Sequence, residues 1–271
     1  MAELRILQAI KALTVEERST FRFAFPKPPP GPGVEMSASE AERSLLKRLE
    51  AEKDKPIEAL WQLARFYQQS RQYPKGVACL RQVLEKMPDT EGKARCVLAL
   101  GQMMESANDF PTAIAYYKEA FSMEPTQTGT WYFINNNLGY SLNQIGRFAE
   151  GERYCRAAIT VDDVRPNAFK NLGIALAGQG DFRGAVESYI AATRANAADP
   201  RAYQLLRELL KQHPVLAFDF QEQEEACRSA VEFAANHAAN QKPVVYRGWR
   251  KHWLLFCWRV RAWLRMSRRR V

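Results

Sequence analysis

Four stretches of this sequence repeat one another, and that self-similarity limits the fold more than any other feature. "LARFYQQSRQYPKG", "LGQMMESANDFPTA", "LGYSLNQIGRFAEG" and "LGIALAGQGDFRGA" each open on Leu and a small residue: Leu63-Ala64, Leu100-Gly101, Leu138-Gly139 and Leu172-Gly173. An aromatic follows at Tyr73, Phe110, Phe148 and Phe182, then a small residue at Gly76, Ala113, Gly151 and Ala185. Leu80, Tyr117, Cys155 and Tyr189 come next, then Val83, Ala120, Ala158 and Ala192, always at the same intervals. The units start 37, 38 and 34 residues apart. The surplus in the first two falls around "DTEGK" and "TQTGTW", where a loop can absorb it.

Apolar residues three and four apart share one face of a helix, so each unit predicts two short amphipathic helices joined by a turn. Small residues at the crossing let the two backbones approach, and the large side chain opposite fills the groove. "ND", "GR" and "GD" ahead of the aromatic supply turn chemistry, and Pro88 and Pro125 end the second helices of the first two units. After the fourth unit, "PRAYQLLRELLKQHP" reads as a helix whose Leu205, Leu206, Leu209 and Leu210 cover the exposed end of the stack. "QEQEEACRSAVEFAANHAAN" reads as another, with Cys227, Ala230, Val231 and Ala234 on one side.

The pattern resembles the tetratricopeptide repeat family over about Ile57 to Asp199, with unit spacings near that family's 34 residues. The family's first-helix aromatic is replaced by Leu60, Val97 and Asn135 and kept only at Phe169, which predicts an irregular start to the third unit. The resemblance implies an all-α fold: a right-handed α-solenoid of antiparallel helix pairs, four repeats over 57–199 followed by capping helices over 200–240. It also implies that the first helix of each unit lines a concave groove holding a peptide or helix of a partner protein. The groove positions are then Trp61, Arg65 and Gln68, Arg95, Leu98 and Gln102, Phe133, Asn136 and Tyr140, and Asn167, Lys170 and Ile174. Asn137 and Asn171 stand where some family members carry asparagines that grip peptide backbone, a task suited to a group that both donates and accepts. Gln62 and Ala99 interrupt that ladder in the first two units, so purely local bonding of the two asparagines is the other reading. The family's carboxylate clamp is not reproduced, since Arg65 stands where the clamp has asparagine.

Motifs of catalysis are missing from the sequence: there is no GxxxxGK[ST], HExxH, GxSxG or GxGxxG. His213, His237 and His252 lie far apart, away from any Cys or carboxylate pair at ligand spacing, so no catalytic residue, metal or cofactor is expected. Cys79, Cys96, Cys155, Cys227 and Cys257 form no CxxC pair and read as small core fillers. The N-terminus lacks the continuous apolar stretch of a signal peptide, and no window nears the roughly 18 apolar residues of a spanning helix. A cytoplasmic location is therefore expected, with peripheral membrane association left open by the C-terminus.

Composition matters only there. The net charge is +9, yet from Lys242 onward there are ten basic residues and no acid, leaving 29 basic against 30 acidic residues elsewhere. On a helical wheel, Trp249, Trp253, Phe256, Cys257, Val260, Trp263 and Leu264 share an arc of roughly 120°. Arg250, Lys251, Arg259, Arg261 and Arg265 lie outside it. Three readings compete for residues 241–271: a helix docked on the solenoid end or a partner, an in-plane helix on an anionic membrane, and a nucleic-acid contact. Trp249, Arg250, Lys251, Trp253, Arg261, Trp263 and Arg265 carry the last two. At the other end, the linker "PKPPPGPG" sets an arm of residues 1–35 apart from a leading helix expected over 36–56, where Ser39 and Glu42 make a capping box.

Overall fold

The computed structural model describes residues 38–51 and 56–240. The arm expected over 1–35 and the basic tail expected over 241–271 lie outside them. Twelve helices are present among the described residues. A leading helix, α1 (Ala38–Ala51), precedes four pairs: α2 (Ile57–Gln69) with α3 (Tyr73–Lys86), α4 (Thr90–Ser106) with α5 (Phe110–Ser122), α6 (Thr128–Gln144) with α7 (Phe148–Val161), and α8 (Pro166–Gly178) with α9 (Phe182–Ala195). Then come α10 (Arg201–Gln212), the short α11 (Pro214–Asp219) and α12 (Gln221–Asn240). The chain divides into two units, Met1–Val231 and Glu232–Val271. The repeats, α10, α11 and α12 up to Val231 belong to the first. In the second, Phe233 is exposed and its ring stacks parallel to His237 at 6.2 Å.

Each pair forms for the reasons its sequence supplies. The inter-helix turn passes through a left-handed residue at one repeated place, Arg71, Asn108, Gly146 and Gly180, with φ of 58°, 61°, 77° and 85°. Two repeats use glycine there, the one residue without steric cost in that region. Asp89, Asp109 and Asp181 cap α4, α5 and α9 by accepting from the backbone N–H of Gly92, Thr112 and Gly184. The Leu and small-residue stripes face inward: Leu63, Leu100, Leu138 and Leu172 are all buried. At Gly101 and Gly173 a Cβ would lie 2.4 and 2.5 Å from the rings of Tyr117 and Tyr189, so only glycine lets these aromatics seat against the first helix.

The surplus residues of the first two spacings do not form loops. They lengthen the following first helix by a turn: α4 and α6 have 17 residues, α2 and α8 have 13. Glu91, on the added turn of α4, holds the start of α6. Its carboxylate accepts from the backbone N–H of Thr126 and Gln127 and from the Thr130 hydroxyl, at 2.8, 3.2 and 2.6 Å. The third unit consequently starts as regular helix rather than irregularly. Its missing aromatic is made good one turn earlier by Trp131, buried with its ring 4.6 Å from Phe121, while Asn135 donates to the Trp131 carbonyl at 2.8 Å.

Both ends of the stack are covered. Glu42 of α1 accepts from the Tyr67 hydroxyl at 2.8 Å and pairs with Lys75 at 3.2 Å, so the carboxylate assigned to a capping box anchors α1 on the first repeat. Leu206, Leu209 and Leu210 of α10 are buried in one cluster with Leu172, Leu176, Val186 and Ile190 of the fourth repeat. Arg183 pairs with Asp219 and lies over the Phe220 ring, and the Tyr203 hydroxyl donates to Glu224 at 2.6 Å. Cys227 is buried in that same cluster, whereas Ala230 on the neighbouring part of α12 is exposed.

A candidate binding groove and its buried polar rung

The first helices form the inner layer of the stack. α4 packs on α6 and α6 on α8, while each second helix packs mainly between the first helices before and after it. The inner face is therefore made by α2, α4, α6 and α8, and the sequence-predicted groove positions are found on it in three states. Arg95 and Asn167 are exposed; Trp61, Arg65, Gln102, Tyr140 and Lys170 are half-buried; Asn136, Asn137 and Asn171 are buried, at 8, 8 and 3 % exposure.

The structure brings only part of this set together. On α6 and α8, Asn171 Nδ2 donates to Asn136 Oδ1 at 3.1 Å, and Asn136 Nδ2 donates to Asn137 Oδ1 at 3.0 Å. The two asparagines singled out for a ladder are thus joined through Asn136, across the boundary between the third and fourth repeats. Asn143 adds a bond from its Nδ2 to the Asn171 carbonyl at 2.8 Å. Asn171 Oδ1 has no hydrogen-bond partner. Asn135 Oδ1, Ser141 Oγ and Asn143 Oδ1 of α6 are likewise buried without a partner, each at a cost of about 1–3 kcal/mol.

Glu105 of α4 extends the polar cluster toward the second repeat. The Tyr117 hydroxyl donates to Glu105 Oε2 at 2.8 Å, and Ser141 of α6 lies beside the same carboxyl. Burial pushes the Glu105 carboxyl above its ordinary value, and the Tyr117 and Ser141 hydroxyls only partly offset this. Tyr140 is pushed up by burial and by Glu105. Further along, burial and the Arg201 guanidinium hold the Lys170 ammonium below its ordinary value, while Asp199 acts the other way. Arg201 donates to both Asp199 oxygens and holds that carboxyl down at about 2. The N-terminal part of the groove is lined differently: Gln68 Nε2 reaches the Ser106 hydroxyl at 2.8 Å, linking α2 to α4 by a neutral contact.

Glu105, Tyr117, Ser141 and Asn143 were not among the binding residues picked from sequence, where Tyr117 figured only as a repeat position. A visible signal was the run Asn135-Asn136-Asn137 beside a buried Leu, since amides on a core-facing stripe demand partners from neighbouring helices. Elsewhere, a cleft of about 520 Å³ opens between α10, α11 and α12, lined by Gln204, Arg207, Glu208, Lys211 and Glu224 among others. Among the described residues no group of three His, Cys, Asp or Glu side chains could hold a metal, and no helix is long and apolar enough to cross a membrane.

Two stretches, residues 56–123 and 170–214, match family models described as tetratricopeptide repeat. A curated human protein, Tetratricopeptide repeat protein 7B, is 28% identical over 100 residues, which is 37% of this chain and 11% of that protein's length. Among solved structures, BtubC (BKLC) from P. vanneervenii superposes with a TM-score of 0.58 at 18% identity, covering 78% of this chain and 93% of that one. The MamA RS-1 ArsTM double mutant gives 0.52 at 11% identity, covering 69% and 97%. At these identities the likeness concerns the fold.

Proposed function

The chain is a tetratricopeptide-repeat protein, and from that premise we propose that it is a non-enzymatic scaffold whose inner face holds an extended peptide or a helix of a partner protein. The observation that carries this reading is the asparagine rung on the first helices, flanked by the exposed Arg95 and Asn167. Trp61, Arg65, Arg95, Gln102, Tyr140, Asn167 and Lys170 supply apolar, cationic and polar contacts to either side of the rung. A random-peptide library selected against the full chain tests the proposal. Selected peptides should lose roughly tenfold or more in affinity on Asn171→Leu, the weight of one hydrogen bond to a buried group. Failure to enrich any peptide over the Asn171→Leu control would overturn it.

A second contact surface is proposed for the tail on its sequence alone: ten basic residues and four tryptophans without an acid suit an anionic surface, of lipid before nucleic acid. Its test belongs to the whole molecule and is given below.

A further inference from the structure

Among the groove positions of α2, α4, α6 and α8, three are basic, Arg65, Arg95 and Lys170, and none is acidic. The chain short of its tail is near neutral, so the bias belongs to these positions. The carboxylates at the starts of the first helices do not offset it, because they are spent on the fold. Glu58, at the start of α2, accepts from Gln62 at 2.8 Å. Glu91 of α4 holds three groups at the start of α6. Asp162, ahead of α8, accepts from Arg165 at 2.6 Å. Asp199, ahead of α10, accepts from the Arg201 guanidinium on both oxygens, at 2.8 and 2.5 Å, and from the Arg201 backbone N–H at 3.1 Å.

Lys170 is set apart by what it lacks. Its side chain is half-buried, and the burial reaches the charged end, since it holds the ammonium below its ordinary value. Among the described residues that ammonium has no hydrogen bond and no ion pair. The carboxyl that acts on it, Asp199, is the one that Arg201 occupies, and Arg201 itself opposes the charge. The matching places on α6 and α10 carry Asn136 and Gln204, both neutral. On the second helices, by contrast, Lys75 pairs with Glu42, Arg156 with Glu152 and Arg183 with Asp219. An exposed lysine without a partner loses nothing, because water surrounds it. A half-buried one has given up part of that water and gains from an anion that replaces it.

We propose that the groove takes a peptide segment bearing acidic side chains, one of whose carboxylates docks on Lys170 as its counter-ion. This ligand class belongs to the groove read above and rests on that reading. Arg95, exposed on α4, receives a second acid. The two cations stand on different repeats and each is met by a carboxylate, whereas a peptide has a single C-terminus; the acids are therefore side chains. Neighbouring helices lie about 8–10 Å apart, which puts α4 and α8 about 16–20 Å apart across α6. An extended chain at about 3.3 Å per residue covers that distance in about five or six residues.

Two libraries of C-terminally amidated peptides, equal in length, are selected against the full chain. One offers Asp and Glu at the varied positions and the other Asn and Gln in their place. The acidic library should enrich and the amide library should not, and the enriched peptides should carry two acids about five or six residues apart. Their affinity should fall about tenfold or more on Lys170→Gln, the weight of a hydrogen bond to a charged group, and be kept by Lys170→Arg. Equal enrichment from both libraries would overturn the proposal while leaving the groove in place. Acidic peptides that bind Lys170→Gln as tightly as the unsubstituted protein would do the same. A third library, with free C-termini, guards the choice of side chain: enrichment there alone would mean that a terminal carboxylate is gripped, and the proposal falls. No enrichment from any of the three overturns the groove reading and this one with it. Circular dichroism establishes that Lys170→Gln is folded; were it not, the three selections on the unsubstituted protein still decide.

Discussion

At the scale of single residues, Leu138 and Leu172 hold the stack together and Arg71 strains it. Leu138 is fully buried and Leu172 nearly so. Either change to Ala should cost about 2–5 kcal/mol, read as a lowered midpoint in denaturant. A midpoint unchanged by Leu172→Ala would mean the repeat register is wrong. Arg71 is exposed and sits at φ 58°, where Gly146 and Gly180 serve the later repeats. Arg71→Gly should therefore stabilise by about 0.5–1 kcal/mol, the left-handed cost removed less the added chain entropy of glycine. Glu105 makes a prediction about pH. Its folded value is raised, so its contribution is complete below the ordinary 4.5 and is lost as pH rises through the folded value. At pH 7 Glu105→Gln should melt above the unsubstituted protein, and the gap should close as pH falls toward 4.5. A gap independent of pH would show that the carboxyl is not titrating in the fold.

Among elements, the added turns of α4 and α6 decide how the second and third repeats join. Glu91 satisfies N–H groups at the start of α6 that the helix itself cannot. Glu91→Ala leaves those donors to water. It should cost about 1–2 kcal/mol, the range of a lost N-cap, and hydrogen exchange should quicken at Thr126 and Gln127 before elsewhere. Exchange that quickens uniformly would mean that Glu91 acts on the whole fold and not on this junction. The regularity of α6 follows from the same turn, because Trp131 supplies from one turn back the ring that Asn135 cannot.

For the whole molecule, the ends matter most. A solenoid shows an apolar face wherever it stops, and α10 covers that face with Leu206, Leu209 and Leu210. A chain ending at Asp199 should aggregate or melt much earlier than the full chain, whereas one ending at Gln241 should keep the midpoint of the repeats. The same Gln241 truncation tests the tail. The full chain should sediment with anionic vesicles at low salt and less so as salt shortens the Debye length from about 10 Å at 0.1 M to about 3 Å at 1 M. Part of the binding should survive, since burial of tryptophan is insensitive to salt. The truncated chain should stay in the supernatant. A full chain that ignores vesicles even at low salt removes the lipid reading.

The helix pairs, their crossing points and the helix that closes the stack were legible in the sequence. Each rests on spacing within a few turns of chain: Leu63, Gly101 or Ala185 need only the 3.6-residue period and a size to declare which side faces in. The polar rung was half legible. Asn136, Asn137 and Asn171 announce themselves by lying on a stripe that should be apolar, but their partners do not. Tyr117 reads as a filler of the groove opposite Gly101, and Glu105 as one more glutamate near a helix end. What pairs them is that α4 and α5, and α6 and α8, bring residues 12 and 35 positions apart within hydrogen-bond reach of one another. Periodicity decides which face of a helix is buried; only the packing of the helices decides which donor meets which acceptor, and with it the atom that Asn171 leaves over.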